Sequence, residues 1–260
     1  MADLSLPDLP TWLVICSWTS VALGIVCAVV LVVDLVRRPQ PMAVMNAVWP
    51  ICALFGSVLW VGAYLAWGRA PQPRPSDDAN RHSDHSSTEM APLGLAPQPR
   101  PYSSSVFVGT SHCGAGCTVA DLLVEWLIFA APSVAVLGGM DWLFSDEIYA
   151  GWVIAYVAAL IVGIGFQYFA IAPMNRDRGR LRNLRAAGRA DVLSLTAWQI
   201  GMYGMMAIAQ LAVFPAWLGG PVAINTPVFW AVMQLAMLTG FVTSFPVNWW
   251  LINAGVKEAM

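Results

Sequence analysis

Residues 111–118 read SHCGAGCT, which sets one imidazole, His112, beside two thiols, Cys113 and Cys117. An imidazole and two thiols suit zinc, copper(I) or another soft metal ion. Gly114 and Gly116 give the intervening backbone the freedom to leave helical geometry, so both sulfurs could turn toward one point. Three donors approach what copper(I) takes. Structural zinc would want a fourth, from Asp121 or from His82 or His85 in the segment RHSDHSSTEM. Two other readings use the same residues. The thiols could cycle as a dithiol–disulfide pair in a membrane thiol oxidoreductase, or the glycines could serve only close packing. The Cys-x-x-x-Cys spacing matches neither the thioredoxin motif nor a zinc-ribbon knuckle.

Cys113, Cys117, Asp121 and Glu125 recur every four residues. On an α-helix each such step drifts by about 40°, so the four form one oblique stripe. A helix starting at Cys117 would put Glu125 about 12 Å deeper, in the middle of the hydrocarbon, where an acidic side chain costs about 3 kcal/mol. The apolar runs hold no lysine or arginine to pair with it at that depth, so a proton or a bound cation must neutralise it. His112, Cys113, Cys117 and Asp121 then read as a metal site at the membrane surface, and Glu125, Gln199, Tyr203 and Asn248 as an inward cation relay. The structural alternative for Glu125 is a protonated acid hydrogen-bonded to one of those three polar partners.

These residues need spans to position them, and the composition supplies the setting. The chain has 260 residues, 58% of them hydrophobic and 11% charged, with a mean hydropathy of +0.64. Apolar runs near 12–36, 43–67, 117–138, 148–172, 192–217 and 227–253 are each long enough to cross a bilayer. The expected fold is therefore all-α, a polytopic transmembrane bundle of about six spans. Residues 1–68 hold two spans. Residues 69–111, rich in Pro, Ser and charge and carrying APQPRP twice, read as a disordered loop. Residues 112–260 form a four-helix core with an Arg-rich loop at 173–191. Pro50 and Pro246 fall inside apolar runs and mark breaks of the kind transporters use. The N-terminus lacks the basic region of a signal peptide and reads as a retained span.

Charge sets the expected sidedness. With the N-terminus inside, eleven of the thirteen basic residues fall on the cytoplasmic side and only Arg37 and Arg38 on the other, which places both termini in the cytoplasm of a bacterial inner-membrane protein. Asp34, three and four residues before that pair, reads as an interfacial ion-pair partner. The Arg-rich loop suits anionic lipid headgroups, while a net charge of -2 argues against nucleic acid. No P-loop, dinucleotide fingerprint, serine triad or HExxH zinc motif occurs, and a noncatalytic role is favoured. The leading function is binding and translocation of copper or zinc. The alternative is a scaffold subunit of a homo-oligomer or larger membrane complex.

The strings HCGAGCTVADLLVEW (112–126), DVLSLTAWQIGMYGMM (191–206) and TSFPVNWWLINAGVKEAM (243–260), with WP at 49–50, resemble a family of uncharacterised bacterial multi-pass membrane proteins carried as a domain of unknown function. The resemblance implies a polytopic helical fold and brings no activity.

Overall fold

The computed structural model describes residues 9–70, 102–171 and 180–257. These are all-α, with no strand among them. In chain order the helices are α1 (Thr11–Arg37), α2 (Met45–Ala63, extended by a π-helical turn Tyr64–Gly68), α3 (Tyr102–Ala130), α4 (Glu147–Ile171) and α5 (Arg180–Ala207). A π-helical stretch, Ile208–Val213, joins α5 to the short α6 (Phe214–Leu218), and α7 (Pro227–Asn253) follows. Six helical stretches are long and apolar enough to cross a membrane, so the chain is a multi-pass membrane protein by length and composition. Much of their surface is exposed aliphatic side chain, as on the outer face of α1 at Val29, Val30 and Val33. Lipid solvates such a face without cost.

Two expectations fail here. The polar segment 69–111 does not run unbroken to the SHCGAGCT motif. Residues 102–111 belong to α3, whose N-terminal turns are held by buried Ser104, Val106 and Val108. Tyr102 at its first turn donates through Oη to Asn253 Oδ1 (2.8 Å) at the end of α7. Serines and small residues hid this stretch from a hydropathy reading, because they bury against neighbouring helices instead of facing lipid. Residues 71–101, with His82, His85 and the two APQPRP copies, lie outside the described residues, as do Arg176 and Arg178 of the Arg-rich loop.

The second concerns α2, which turns back on itself. Ser57 has φ 45° and ψ -125°, a conformation rarely seen in a non-glycine residue. The rings of Trp49 and Tyr64 meet edge-on at 5.4 Å, although 15 helical residues would separate them by about 22 Å along one axis. Gly56 and Gly68 make the hairpin possible: a Cβ on Gly56 would strike the ring of Trp60, and one on Gly68 the ring of Trp49. Residues 45–56 therefore enter the bundle and 58–68 return. Arg69, just past the returning half, grips Asp34 with Nη2–Oδ1 at 2.7 Å and Nε–Oδ2 at 3.1 Å, while Tyr64 Oη donates to Asp34 Oδ2 (2.7 Å). The main partner of Asp34 is thus Arg69, with Arg38 at 3.9 Å. Pro50 and Pro246 sit within helical stretches, and the break falls seven residues after Pro50.

The hairpin changes how the helix ends sort. At one face of the bundle Trp12 meets Trp217 (5.8 Å) and Trp126 stacks near Trp230 (6.0 Å). This gathers the start of α1, the end of α3, α6 and the start of α7. At the opposite face lie the end of α1, both ends of the α2 hairpin, the start of α3 and the end of α7. Five helices cross between the faces and the α2 hairpin returns to the face it left. The first turn of α1 and the end of α7 are on opposite faces, contrary to the expectation of both termini on one side. That expectation counted a full crossing for every apolar run of sufficient length.

Candidate functional site

The stripe on α3 is real, but it lies deeper than the sequence suggested. The helix is continuous through Gly114 and Gly116, so Cys113 and Cys117 are fully buried in mid-helix. The glycines permit close packing. A Cβ on Gly116 would come within 2.9 Å of Gly163 Cα on α4, and one on Gly114 within 2.5 Å of the Trp198 ring on α5. Continuous helix also keeps His112 about 100° around the axis from Cys113, and sets Cys117 and Asp121 about 6 Å apart along it. The four donors therefore do not converge at a surface site. Among the described residues no three His, Cys, Asp or Glu side chains gather as a group able to hold a metal ion.

The face at which α7 ends holds a buried polar network that the sequence did not foreshadow. After α7 the chain turns at Gly255 (φ 69°), and the amides of Val256 and Lys257 donate to Leu251 O. That turn sends Lys257 back into the bundle with its side chain fully buried. Its Nζ donates to Asn248 Oδ1 (2.8 Å), Gly109 O (3.3 Å) and Cys113 Sγ (3.3 Å), and lies 3.8 Å from Asp191 Oδ1. Cys113 Sγ donates in turn to Asp191 Oδ1 (2.7 Å), with Ser194 Oγ 2.9 Å away. Ser244 Oγ donates to Ser194 O (2.8 Å), and Asn248 Nδ2 to Ser244 O and Oγ. Asp191 and Lys257 were missed because each borders an apolar run and reads as a solvated flank. The signal that could have found Lys257 is Gly255 two residues before it, a helix-stopping turn that reverses the chain.

Cys117 and Asp121 continue the line inward. Cys52, on the entering half of the α2 hairpin, donates to Ser111 O (3.2 Å), and Trp60 on the returning half donates to Ser111 Oγ (3.2 Å). The hairpin therefore leans on the motif turn of α3. Asp121 is 2% exposed, and its Oδ2 has no hydrogen-bond partner among the described residues. It lines a cavity of about 330 Å³ beyond the hairpin tip, together with Leu54, Phe55, Thr118, Met233, Gln234 and Met237. Asp191 Oδ2, both ring nitrogens of His112 and both amide ends of Gln167 and Gln199 are likewise buried without partners.

Glu125 is near one end of α3 and not midway along it. It stands five residues before the end of α3 and lines a cavity of about 640 Å³ with Asp146 and Glu147 at the far face. The expected relay partners are dispersed. Tyr203 Oη donates to Trp152 O (2.9 Å), Asn248 belongs to the Lys257 network, and Gln199 touches no member of the line through a hydrogen bond. Gln210, in the π-helical stretch after α5, clips the 219–226 loop by a reciprocal pair with Val222 N (2.8 Å) and O (3.0 Å).

Comparison with known proteins adds a family. Neither the curated proteins nor the solved structures contain a match to this chain. Residues 104–257, more than half of the chain, match the family described as "Domain of unknown function (DUF4396)". That stretch contains α4, α5, α7, nearly all of α3 and every member of the Lys257 network, and ends on Lys257 itself. The chain belongs to the DUF4396 family.

Proposed function

We propose that this protein carries a soft cation across the membrane along the α3 stripe, with the buried carboxylates Asp191 and Asp121 and the half-buried Glu125 as its stations. One observation supports this above the others: Asp121 is buried near the end of a re-entrant hairpin with a carboxylate oxygen that nothing among the described residues satisfies. An ionisable group held unpaired inside a bilayer is costly and marks an ion pathway. Irregular backbone at membrane depth, as at Ser57, is tolerated where it is sheltered by protein or lines a cavity. Copper(I) or zinc is the cargo class, because the thiols of Cys52, Cys113 and Cys117 sit on two facing elements beside the path. The ion would be passed along them in transit instead of being kept at a resident cluster. Lys257, a fixed cation among Cys113, Asp191 and Asn248, closes the basic end until it moves aside.

The test is flux in proteoliposomes at matched insertion. Asp121→Asn and Glu125→Gln keep size and hydrogen bonding but lose the charge, and should lower copper(I) or zinc flux by at least about tenfold, the effect of roughly 1.4 kcal/mol at a rate-limiting station. Flux equal to that of the unaltered protein in both would remove the carrier reading.

The same fold supports a reading of sidedness. All thirteen lysines and arginines fall at the face holding the end of α7, or in segments that join two helix ends at that face. We assign that face to the cytoplasm, with the Arg-rich 173–191 segment against anionic headgroups. In a thiol-free background, a cysteine at Trp142 should react with an impermeant maleimide in intact cells, and one at Ala254 should not. The reverse pattern would invert the assignment, and labelling of both would undo the five-crossing topology.

A further inference from the structure

We propose that the cavity beyond the α2 hairpin tip is a binding site for a soft monovalent cation, built from Asp121, Met233, Met237 and Thr118. This rests on the carrier reading and places its central station. Met233 and Met237 are four residues apart on α7, so their thioethers stack on one helix face, and both line the 330 Å³ cavity that Asp121 also lines. Thr118 Oγ1 lies 3.8 Å from Met237 Sδ and gives its proton to Gly114 O at 2.7 Å, which leaves oxygen lone pairs for the cavity. Asp121 Oδ2, buried and without a partner, supplies the one negative charge.

The donor set selects the ion. A single carboxylate balances one positive charge, and a divalent ion would remain charged inside a wall whose other members, Gln234 apart, are apolar or aromatic, among them Val21, Ile25, Phe55, Leu122, Trp126 and Trp230. Hard monovalent ions need several oxygens, and the other oxygens at this wall are occupied. Leu54 O accepts from Gln234 Nε2 (2.6 Å), and Gln234 Oε1 accepts from Ser20 Oγ (2.6 Å). Two thioethers, a carboxylate and a hydroxyl match copper(I) or silver(I). The hairpin contributes by position. Leu54 and Phe55, just before its reversal at Ser57, line the cavity, two and three residues beyond Cys52.

Silver(I), which is soft and does not change oxidation state here, is the probe. In detergent-purified full-length protein with methyl-labelled methionine, one equivalent of silver(I) should shift the methyl resonances of Met233 and Met237. The variant M233L/M237L, which keeps side-chain volume, should lose silver(I) affinity by at least about tenfold, the scale on which even supporting groups affect a metal site. Asp121→Asn should lose affinity similarly. Replacing all five cysteines by serine should leave both methyl shifts in place. Should that variant not fold, the shifts in the native protein decide. Unmoved Met233 and Met237 resonances, or unchanged affinity in M233L/M237L, would overturn the site. Binding that survives while flux is absent would instead overturn the carrier reading, and flux that survives M233L/M237L without binding would overturn this site alone.

Discussion

Lys257→Met should lower the stability of the detergent-purified protein by about 3–5 kcal/mol, the cost of leaving one partner of a buried ion pair uncompensated. Methionine keeps the length and apolar stem of lysine, so the cost comes from charge. Asp191 would be left at 1% exposure with Cys113 Sγ as its remaining side-chain donor and Oδ2 unpaired. Asn248 Oδ1 and Gly109 O would lose their donor as well. The control is the double variant K257M/D191N, which removes both charges and should recover most of the loss. A double variant no more stable than Lys257→Met would mean that the tail, and not the charge pair, carries the effect. Asp191→Asn alone should cost less, because Lys257 retains a carbonyl and an amide oxygen. Thermal unfolding of the four proteins at one detergent concentration reads all of these.

Gly116→Leu should destabilise at the upper end of the roughly 1–3 kcal/mol that overpacking costs. Gly116→Ala decides its meaning by sign. Were Gly116 present to free the backbone, alanine would stabilise the helix by about 0.8–1.0 kcal/mol through its higher helix propensity. In the fold, however, the new Cβ would stand 2.9 Å from Gly163 Cα, which is backbone and cannot rotate away. The expected result is net destabilisation. Gly163→Ala should do the same for a different reason, since its Cβ would fall 2.7 Å from Asp191 Oδ2 and 2.8 Å from Leu195 Cδ1. A neutral or stabilising Gly116→Ala would show that α3 and α4 are not in backbone contact there, and a neutral or stabilising Gly163→Ala that Asp191 and Leu195 of α5 do not crowd Gly163.

Several features were decided by local chemistry and could be read directly. Long apolar runs need lipid, so the all-α, multi-pass class followed from composition. The stripe from Cys113 to Glu125 followed from a spacing of four, because helical geometry depends on no distant residue. Asp34 was correctly read as an ion-pair partner, since a carboxylate near a span end beside basic residues has few alternatives. Which arginine grips it was not legible. Arg69 is 35 positions away and reaches Asp34 only because α2 doubles back.

Tertiary structure decided the rest, and the reasons are specific. Whether an apolar run crosses or returns depends on one residue's φ and on whether Gly56 and Gly68 can admit tryptophan rings, and neither appears in a hydropathy sum. That single reversal set the start of α1 at the face opposite the end of α7 and brought Arg69 to the end of α1, beside Asp34. The depth of His112, Cys113 and Cys117 depended on ten residues, 102–111, whose small and polar side chains look like loop until neighbouring helices bury them. The pairing of Lys257 with Asp191 joins a chain-terminal turn to the start of a span 66 residues earlier. Sequence spacing cannot express such a contact. Its energy exists only once the bundle has excluded water from both charges.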